Sequence, residues 1–307
     1  METQEQIERI EHFIREVIVD EITKLQGVGL SYMQFVIMGQ AIEVLGSFLD
    51  NKPIDNKKYS EDILNEGFSI YEVCRVFRGK VIFLNDNLLR LDNSIKKSNL
   101  AIDLNSLHVA DQLNRLIQLE NIKEGNIKYV IRVTPTGIEQ YVYQIKHSYP
   151  TEEAYQHGVD TVTCHAVREN AEVKYVNSGL REMTNKIIQE QGVAEVLLID
   201  GDNCITEGSR SNVFFIRDNV FYTAPLPHVL PGTSRKRVLN ICQEDGLTVV
   251  EQRVNYKDIA SYQAAFITGT SPLVLPIAHI DGIAFDPHHP LLVKVMEHYF
   301  NLLSKNF

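Results

Sequence analysis

Between Gln4 and Leu25 the apolar residues Ile7, Ile10, Phe13, Ile14, Val17, Ile18, Ile22 and Leu25 recur at three- and four-residue intervals, with Glu, Arg, Lys and Asp between them. This spacing predicts an amphipathic helix. Gly27 and Gly29 break the pattern, Ser31 can cap a second helix running to about Leu49, and the polar stretch from Asn51 to Lys58 reads as a linker. Residues 1–58 therefore form an expected helical hairpin and linker, which packs on the protein's own body or on a partner subunit. From Phe68 the period shortens to that of a strand. SIYEVCRVF, the turn Arg78-Gly79-Lys80 and the returning VIFL predict a β-hairpin. Asn87 to Leu100 and Ser106 to Leu119 read as helices, and Ile127 to Val133 with Gln140 to Ile145 as a second strand pair around Pro135-Thr136-Gly137. Residues 59–147 thus make a small α+β domain, and His147 to Thr151 joins it to the remainder.

Residues 148–307 read differently. A strand at Val159 to His165 and a helix from about Gly179 to Gln191 are followed by short apolar strands at Glu195 to Asp200, Val213 to Ile216, Val220 to Thr223, Thr248 to Val254, Ala264 to Thr268 and Val274 to Ile280. Helices are expected at Ser234 to Glu244, at Tyr256 to Ser261 and from about Pro290 to Ser304. Many short strands with few helices predict a larger, barrel-like sheet domain.

Composition adds mainly exclusions. The 307 residues are 44% apolar and 23% charged, an ordinary globular balance, and the formal charge of -10 argues against nucleic acid and anionic membranes, which require clustered cations. Cys74, Cys164, Cys204 and Cys242 are widely spaced, without a zinc-binding pattern, and read as reduced thiols. No basic leader and no apolar run of about 18 residues is seen. A soluble, cytoplasmic protein without a bound metal is the expectation.

Three pieces of the stretch from Glu172 to Arg237 look chemical. A lone lysine is ordinarily a solvated charge, but Val173, Tyr175 and Val176 suggest that Lys174 is partly buried, which lowers an amine's pKa and makes it a usable nucleophile and base. Glu207, in ITEGSRSN, is by itself a surface carboxylate or a cap. At a strand end it can instead reach a buried ligand nitrogen. Gly232, Thr233 and Ser234 open a helix, where Ser and Thr are ordinary caps and where a phosphate is also well received. A second small-residue loop, Thr268-Gly269-Thr270-Ser271, can offer hydroxyls and N–H groups to the same anion. An amine, a carboxylate and an anion-binding helix start suit a phosphorylated aldehyde cofactor.

Taken in order, GFSIYEVCRVFRGKVIFLNDNLLRLDNSIK, VKYVN, ITEGSRSNVFFI, VFYTAP, LPGTSRKRV and FITGTSPLVLPIAHIDG resemble the fold-type IV pyridoxal-phosphate enzymes over roughly Gly67 to Gly282. These include branched-chain and D-amino-acid aminotransferases and 4-amino-4-deoxychorismate lyase. The resemblance implies a two-domain α+β architecture, pyridoxal 5'-phosphate (PLP) as cofactor and a homodimer with each site between the domains. By matching position, Lys174 is the Schiff-base lysine and proton shuttle, and Glu207 pairs with the cofactor's ring nitrogen. Arg90, Thr233, Ser234 and Thr270 hold the phosphate, while Tyr71, Arg132 and Ser271 lie where substrate is received.

Residues 1 to about 60 depart from the family's usual opening strand. Substrate signals are mixed: Gly179 stands where branched-chain enzymes often carry a tyrosine, and Asn177 resembles the D-amino-acid branch. Tyr129-Val130-Ile131-Arg132 is similar to the branched-chain enzymes, while TPTGIEQ lacks the D-enzymes' Arg-x-His pair. The expected activity is amino transfer between a branched-chain-like or D-amino acid and a 2-oxo acid. A lyase releasing pyruvate from aminodeoxychorismate, or a catalytically impaired binding protein assembled through the hairpin, are the alternatives.

Overall fold

The computed structural model describes residues 68–134, 137–176 and 178–305. The expected N-terminal hairpin, Asn177 and most of the turn at 135–137 lie outside the described residues.

The first part comprises β1 (Phe68–Phe77), β2 (Lys80–Val81), α1 (Leu84–Lys97), a 3-10 turn (Leu104–Leu107), α2 (Val109–Leu119), β3 (Gly125–Thr134) and β4 (Gly137–Ile145). Its four strands pair in the order β2-β1-β3-β4, with β1, β3 and β4 antiparallel. Alternation gives this sheet two unlike faces. Ile70, Cys74 and Val76 of β1 and Ile127, Tyr129 and Ile131 of β3 pack against Leu91 and Ile95 of α1 and Leu113 and Ile117 of α2. Tyr71 and Arg75, with Asn126, Lys128 and Arg132, occupy the alternate positions.

The second part follows as α3 (Glu152–His157), β5 (Val159–His165), α4 (Ser178–Gln191), β6 (Glu195–Ile199), β7 (Cys204–Gly208), β8 (Asn212–Arg217) and β9 (Val220–Thr223). Then come α5 (Thr233–Glu244), β10 (Thr248–Glu251), β11 (Val254–Asn255), a 3-10 turn (Tyr256–Ser261), β12 (Ala264–Gly269), β13 (Leu273–Ile280), β14 (Ile283–Ala284) and α6 (Pro290–Lys305). The ten strands form one mixed sheet in the order β10-β9-β8-β12-β13-β5-β6-β7-β11, with β14 on β13. Its central strands are buried on both faces, which is why they read as unbroken apolar runs. In β8, Phe214 and Ile216 join α5 and α6, while Val213 and Phe215 face a second core with Leu197, Ala265 and Ile267. The Phe214 and Phe266 rings stack with centroids 5.0 Å apart. These two sheets make the mixed α+β architecture that the sequence pattern predicts.

Four local expectations change. Helix α1 begins at Leu84 rather than Asn87, because Asp86 and Asn87 donate their N–H groups to Phe83 O. The expected strand from Thr248 to Val254 is two: β10 runs parallel to β9, and β11 pairs antiparallel with β7 at the opposite edge. Arg253 between them is held by Asp200 and Asp202. The stretch Tyr256–Ser261 is a 3-10 turn capped by the Asn255 side chain. Helix α3 was not expected; its six residues carry no buried side chain, so they lack an amphipathic signal, and the Thr151 hydroxyl caps them.

Phe266 is fully buried between Phe214 and Phe221. Phe266→Ala should therefore lower the unfolding free energy by about 3–5 kcal/mol in urea titration; a loss below about 1 kcal/mol would mean that this layer is loosely packed.

Candidate active site

Lys174 is placed by backbone pairing. Tyr71 donates its N–H to Lys174 O at 2.9 Å and Val176 to Ser69 O at 3.0 Å, so residues 174–176 extend the small sheet along the edge of β1. The bond from Lys174 N–H to Ser94 Oγ, 3.4 Å, ties the same residue to α1. Its side chain is only 11% exposed and ends 3.5 Å from Glu72 Oε1. Burial and the Arg90 charge lower the amine from its ordinary pKa, with Glu72 and Tyr71 working in the other direction.

Glu72 is the hub of this cluster. It lies on the inward face of β1 among Ile70, Cys74 and Val76, where an unpaired carboxylate would be costly. Arg90 of α1 meets it with both fork nitrogens, Nε to Oε2 at 2.8 Å and Nη2 to Oε1. Asn87 Nδ2 adds a bond of 3.2 Å to Oε1, and the Val73 N–H one of 2.9 Å. Burial would raise the Glu72 carboxyl, but Arg90 and Lys174 hold it below the usual carboxylate range. The pair engages Nε and Nη2 of Arg90 and leaves Nη1 outside it.

Glu207 occupies the second buried carboxylate position. It sits near the end of β7, where ITEG pairs with β6. Arg168 Nε donates to Oε1 at 2.6 Å and the Leu230 N–H to Oε2 at 3.0 Å. Arg168 is fixed in turn by a 2.9 Å bond to Ser209 O. Burial raises the Glu207 carboxyl above its ordinary value, while Arg168 and the Leu230 N–H oppose that shift.

Thr233 and Ser234 begin α5 and are buried, although the cap position at Gly232, itself half-buried, carries no side-chain cap. A side chain at Gly232 would collide with Asn212 Oδ1, and Asn212 is held by a 2.9 Å bond to Leu230 O. Tyr299 donates to Ser234 Oγ at 3.1 Å. Thr270 and Ser271 lie between β12 and β13, and Thr270 shares a cavity of about 10 Å³ with Thr233, Ser234, Asn87 and Arg75. That volume is room for about one water, so a phosphate there requires lining side chains to withdraw. Ser271 is bound by the polar face of the small sheet, its carbonyl by Arg75 Nη1 at 3.1 Å and its hydroxyl by Asn126 Nδ2 at 2.9 Å. Asp86 of α1 reaches Lys236 at 2.8 Å and Arg237 of α5, clamping the two helices together.

The structure thus brings Lys174, Arg90 and Tyr71 into one buried cluster and groups Thr233, Ser234 and Thr270 in another, joined through Asn87. Glu207 lies on the large sheet with Arg168. Arg132 stands on the polar face opposite Ser69, but its guanidinium is taken by Glu139 at 2.9 Å. Sequence reasoning missed Glu72, Asn87 and Arg168. Glu72 had a signal, a carboxylate at an inward position of an alternating strand; Arg168, in an irregular loop, had none. An amine with a lowered pKa, a buried carboxylate with a fixed cation and an uncapped buried helix start form a donor set suited to PLP.

Removing the Glu72 charge leaves Arg90 buried and unpaired, so Glu72→Gln should cost about 3–5 kcal/mol of stability. Because the folded-state pKa of Glu72 is depressed, its contribution is present above the ordinary value of about 4.5 and is lost as pH falls through the folded value. Urea titrations across that range should show a shallower acid dependence in the variant; superimposable profiles would remove the ion pair from the account.

The chain is similar to known proteins over most of its length. The family profile for amino-transferase class IV matches residues 69–280. The chain is 27% identical over 248 residues to a D-alanine aminotransferase of Bacillus licheniformis, covering 75% of this chain and 86% of that one. It is 26% identical over 269 residues to a branched-chain-amino-acid aminotransferase of Pseudomonas aeruginosa, covering 78% and 86%. The Escherichia coli branched-chain amino acid aminotransferase shares the fold with a TM-score of 0.69 at 20% identity, over 78% of this chain and 86% of that one. With the family match spanning both sheets and every element that carries the buried cluster, the chain belongs to the class IV aminotransferases, transaminases that use PLP.

Proposed function

We propose that Lys174 is the amine that attaches the cofactor's aldehyde and carries the proton during transfer of an amino group from an amino acid of the branched-chain or D-alanine type to a 2-oxo acid. The observation that carries this reading is the buried Lys174 ammonium position, 3.5 Å from Glu72 and over the Tyr71 ring, with its pKa lowered by burial and Arg90. The named relatives include both substrate types.

When bound, PLP would supply an aldehyde for amines and a ring that accepts the electron pair of the α-carbon. The chain's own residues supply the rest. The lowered pKa of Lys174 increases its neutral fraction near pH 7, the form that attacks a carbonyl and accepts a proton. Glu72, at contact distance, steadies the lysine when it holds that proton as an ammonium. Glu207 is positioned to hold a proton on the ring nitrogen, and Arg168 with the Leu230 N–H orients it and opposes the upward pull of burial on its pKa. The uncapped start of α5 at Thr233 and Ser234, the Thr270 hydroxyl and Arg90 receive the phosphate. Tyr71, Ser271 and Arg132 line the substrate side. We further propose a cytoplasmic homodimer. Among the described residues no helix is long and apolar enough to cross a membrane.

Lys174→Ala should abolish the borohydride-sensitive visible band of the PLP-loaded protein and reduce amino transfer by several orders of magnitude. The same band in the variant would reject Lys174. With leucine or D-alanine as donor, activity should require an added 2-oxo acid; pyruvate released from aminodeoxychorismate without any acceptor would support the lyase reading instead. Arg90→Gln should weaken PLP binding about tenfold or more, as loss of a charge-assisted contact implies, and unchanged cofactor affinity would free Arg90 from that role.

A further inference from the structure

Tyr299 belongs to α6, the last helix, yet its hydroxyl ends at the first turn of α5, 3.1 Å from Ser234 Oγ. The ring is fully buried in the core that Ile82, Phe266, Val238 and Leu292 share, and it stands edge-on to Phe83 with centroids 5.9 Å apart. The same side chain lines the small cavity that holds Thr233, Ser234, Thr270, Asn87 and Arg75. A second attachment joins α6 to the other end of α5: Lys294 Nζ lies 3.5 Å and His298 Nδ1 3.3 Å from the carboxylate of Asp245, the residue that closes that helix. Two attachments fix where Tyr299 delivers its hydroxyl.

The direction of that bond has a consequence for Ser234. Burial pushes the Tyr299 phenol up to about 12, against the pull of Ser234, Arg237 and Arg75, so at neutral pH it keeps its proton and donates. A serine hydroxyl has one hydrogen and two lone pairs. Accepting from Tyr299 on one side, Ser234 keeps its own hydrogen for an acceptor on another, and its rotation is restricted. At the start of a helix such an acceptor also meets free N–H groups and the positive end of the dipole. Phenylalanine at position 299 would fill the same space in the core, so the bond to Ser234 is what the tyrosine adds.

Resting on the assignment of Ser234 to the cofactor's phosphate, we propose that Tyr299 is a positioning residue of the phosphate site: its hydroxyl fixes the Ser234 side chain so that the serine donates to a phosphate oxygen. The last helix thereby contributes to cofactor affinity without touching the reacting atoms. It favours the phosphorylated aldehyde over the unphosphorylated one, because a donor held in place beforehand loses less freedom on binding.

The test is equilibrium dialysis of the full-length protein, freed of cofactor, against PLP and against pyridoxal, which lacks the phosphate. Both carry the aldehyde, so the contribution of the amine cancels in the ratio of the two dissociation constants. Tyr299→Phe should weaken PLP by about three- to tenfold, the range for one hydrogen bond, and leave pyridoxal within about twofold. Ser234→Ala should weaken PLP by about tenfold or more. Adding Tyr299→Phe to Ser234→Ala should weaken PLP no further, because the tyrosine then has no hydroxyl to position. Equal weakening of both ligands by Tyr299→Phe, as a general loss of stability would give, overturns the proposal, and so do additive losses in the double variant. Ser234→Ala without effect on PLP rejects the phosphate assignment on which the proposal rests. Tyr299→Phe without effect, where Ser234→Ala does weaken PLP, rejects the positioning role alone, so the two failures are distinguishable.

Discussion

One buried carboxylate organises this site. Glu72 lies within the small-sheet core, and burying it is tolerable only because Arg90 engages both its oxygens while Asn87 and its own strand's N–H fill further lone pairs. The consequence runs in two directions. Outward, the pair fixes α1 against β1, and α1 presents Ser94 to the Lys174 backbone. Inward, it leaves a carboxylate edge against the Lys174 amine, opposing the fall in pKa that burial and Arg90 cause. A lysine without this neighbour would carry less positive charge, and one in open water would carry more.

The cluster functions only if the two sheets meet in register. Arg75 and Asn126, from the polar face of the small sheet, both hold Ser271 on the large one. Asp86 at the start of α1 holds Lys236 and Arg237 in the first turns of α5. The uncapped start of α5 is thereby held beside the same helix that carries Arg90. Residues distant in the chain are thereby brought to neighbouring positions at the junction of the two sheets.

The sequence carried the larger elements because their physical signals are strong. Apolar runs such as VFFI and AAFIT belong to strands buried on both faces, and α2 shows a clear alternation of buried and exposed positions. The partial burial of Lys174 was legible from its apolar neighbours, and the start of α5 from Gly232, Thr233 and Ser234. Contacts that depend on tertiary approach were not: nothing around Arg168 announces that it will meet a strand carboxylate 39 residues later. Glu72 is written into the alternation of β1, a carboxylate at an inward position beside Ile70 and Cys74. Helix α3 and the division of Thr248 to Val254 depend on a local cap and on a change of sheet edge, neither of which hydrophobic periodicity records.

The central claim is that the buried amine beside Glu72 is the group to which the cofactor is attached. The most direct measurement is to reduce the PLP-loaded protein with borohydride, digest it and locate the phosphopyridoxyl group by peptide mass mapping. The account predicts a single labelled peptide with the modification on Lys174. Label on Lys128, or spread over several surface lysines with Lys174 unmodified, would contradict it.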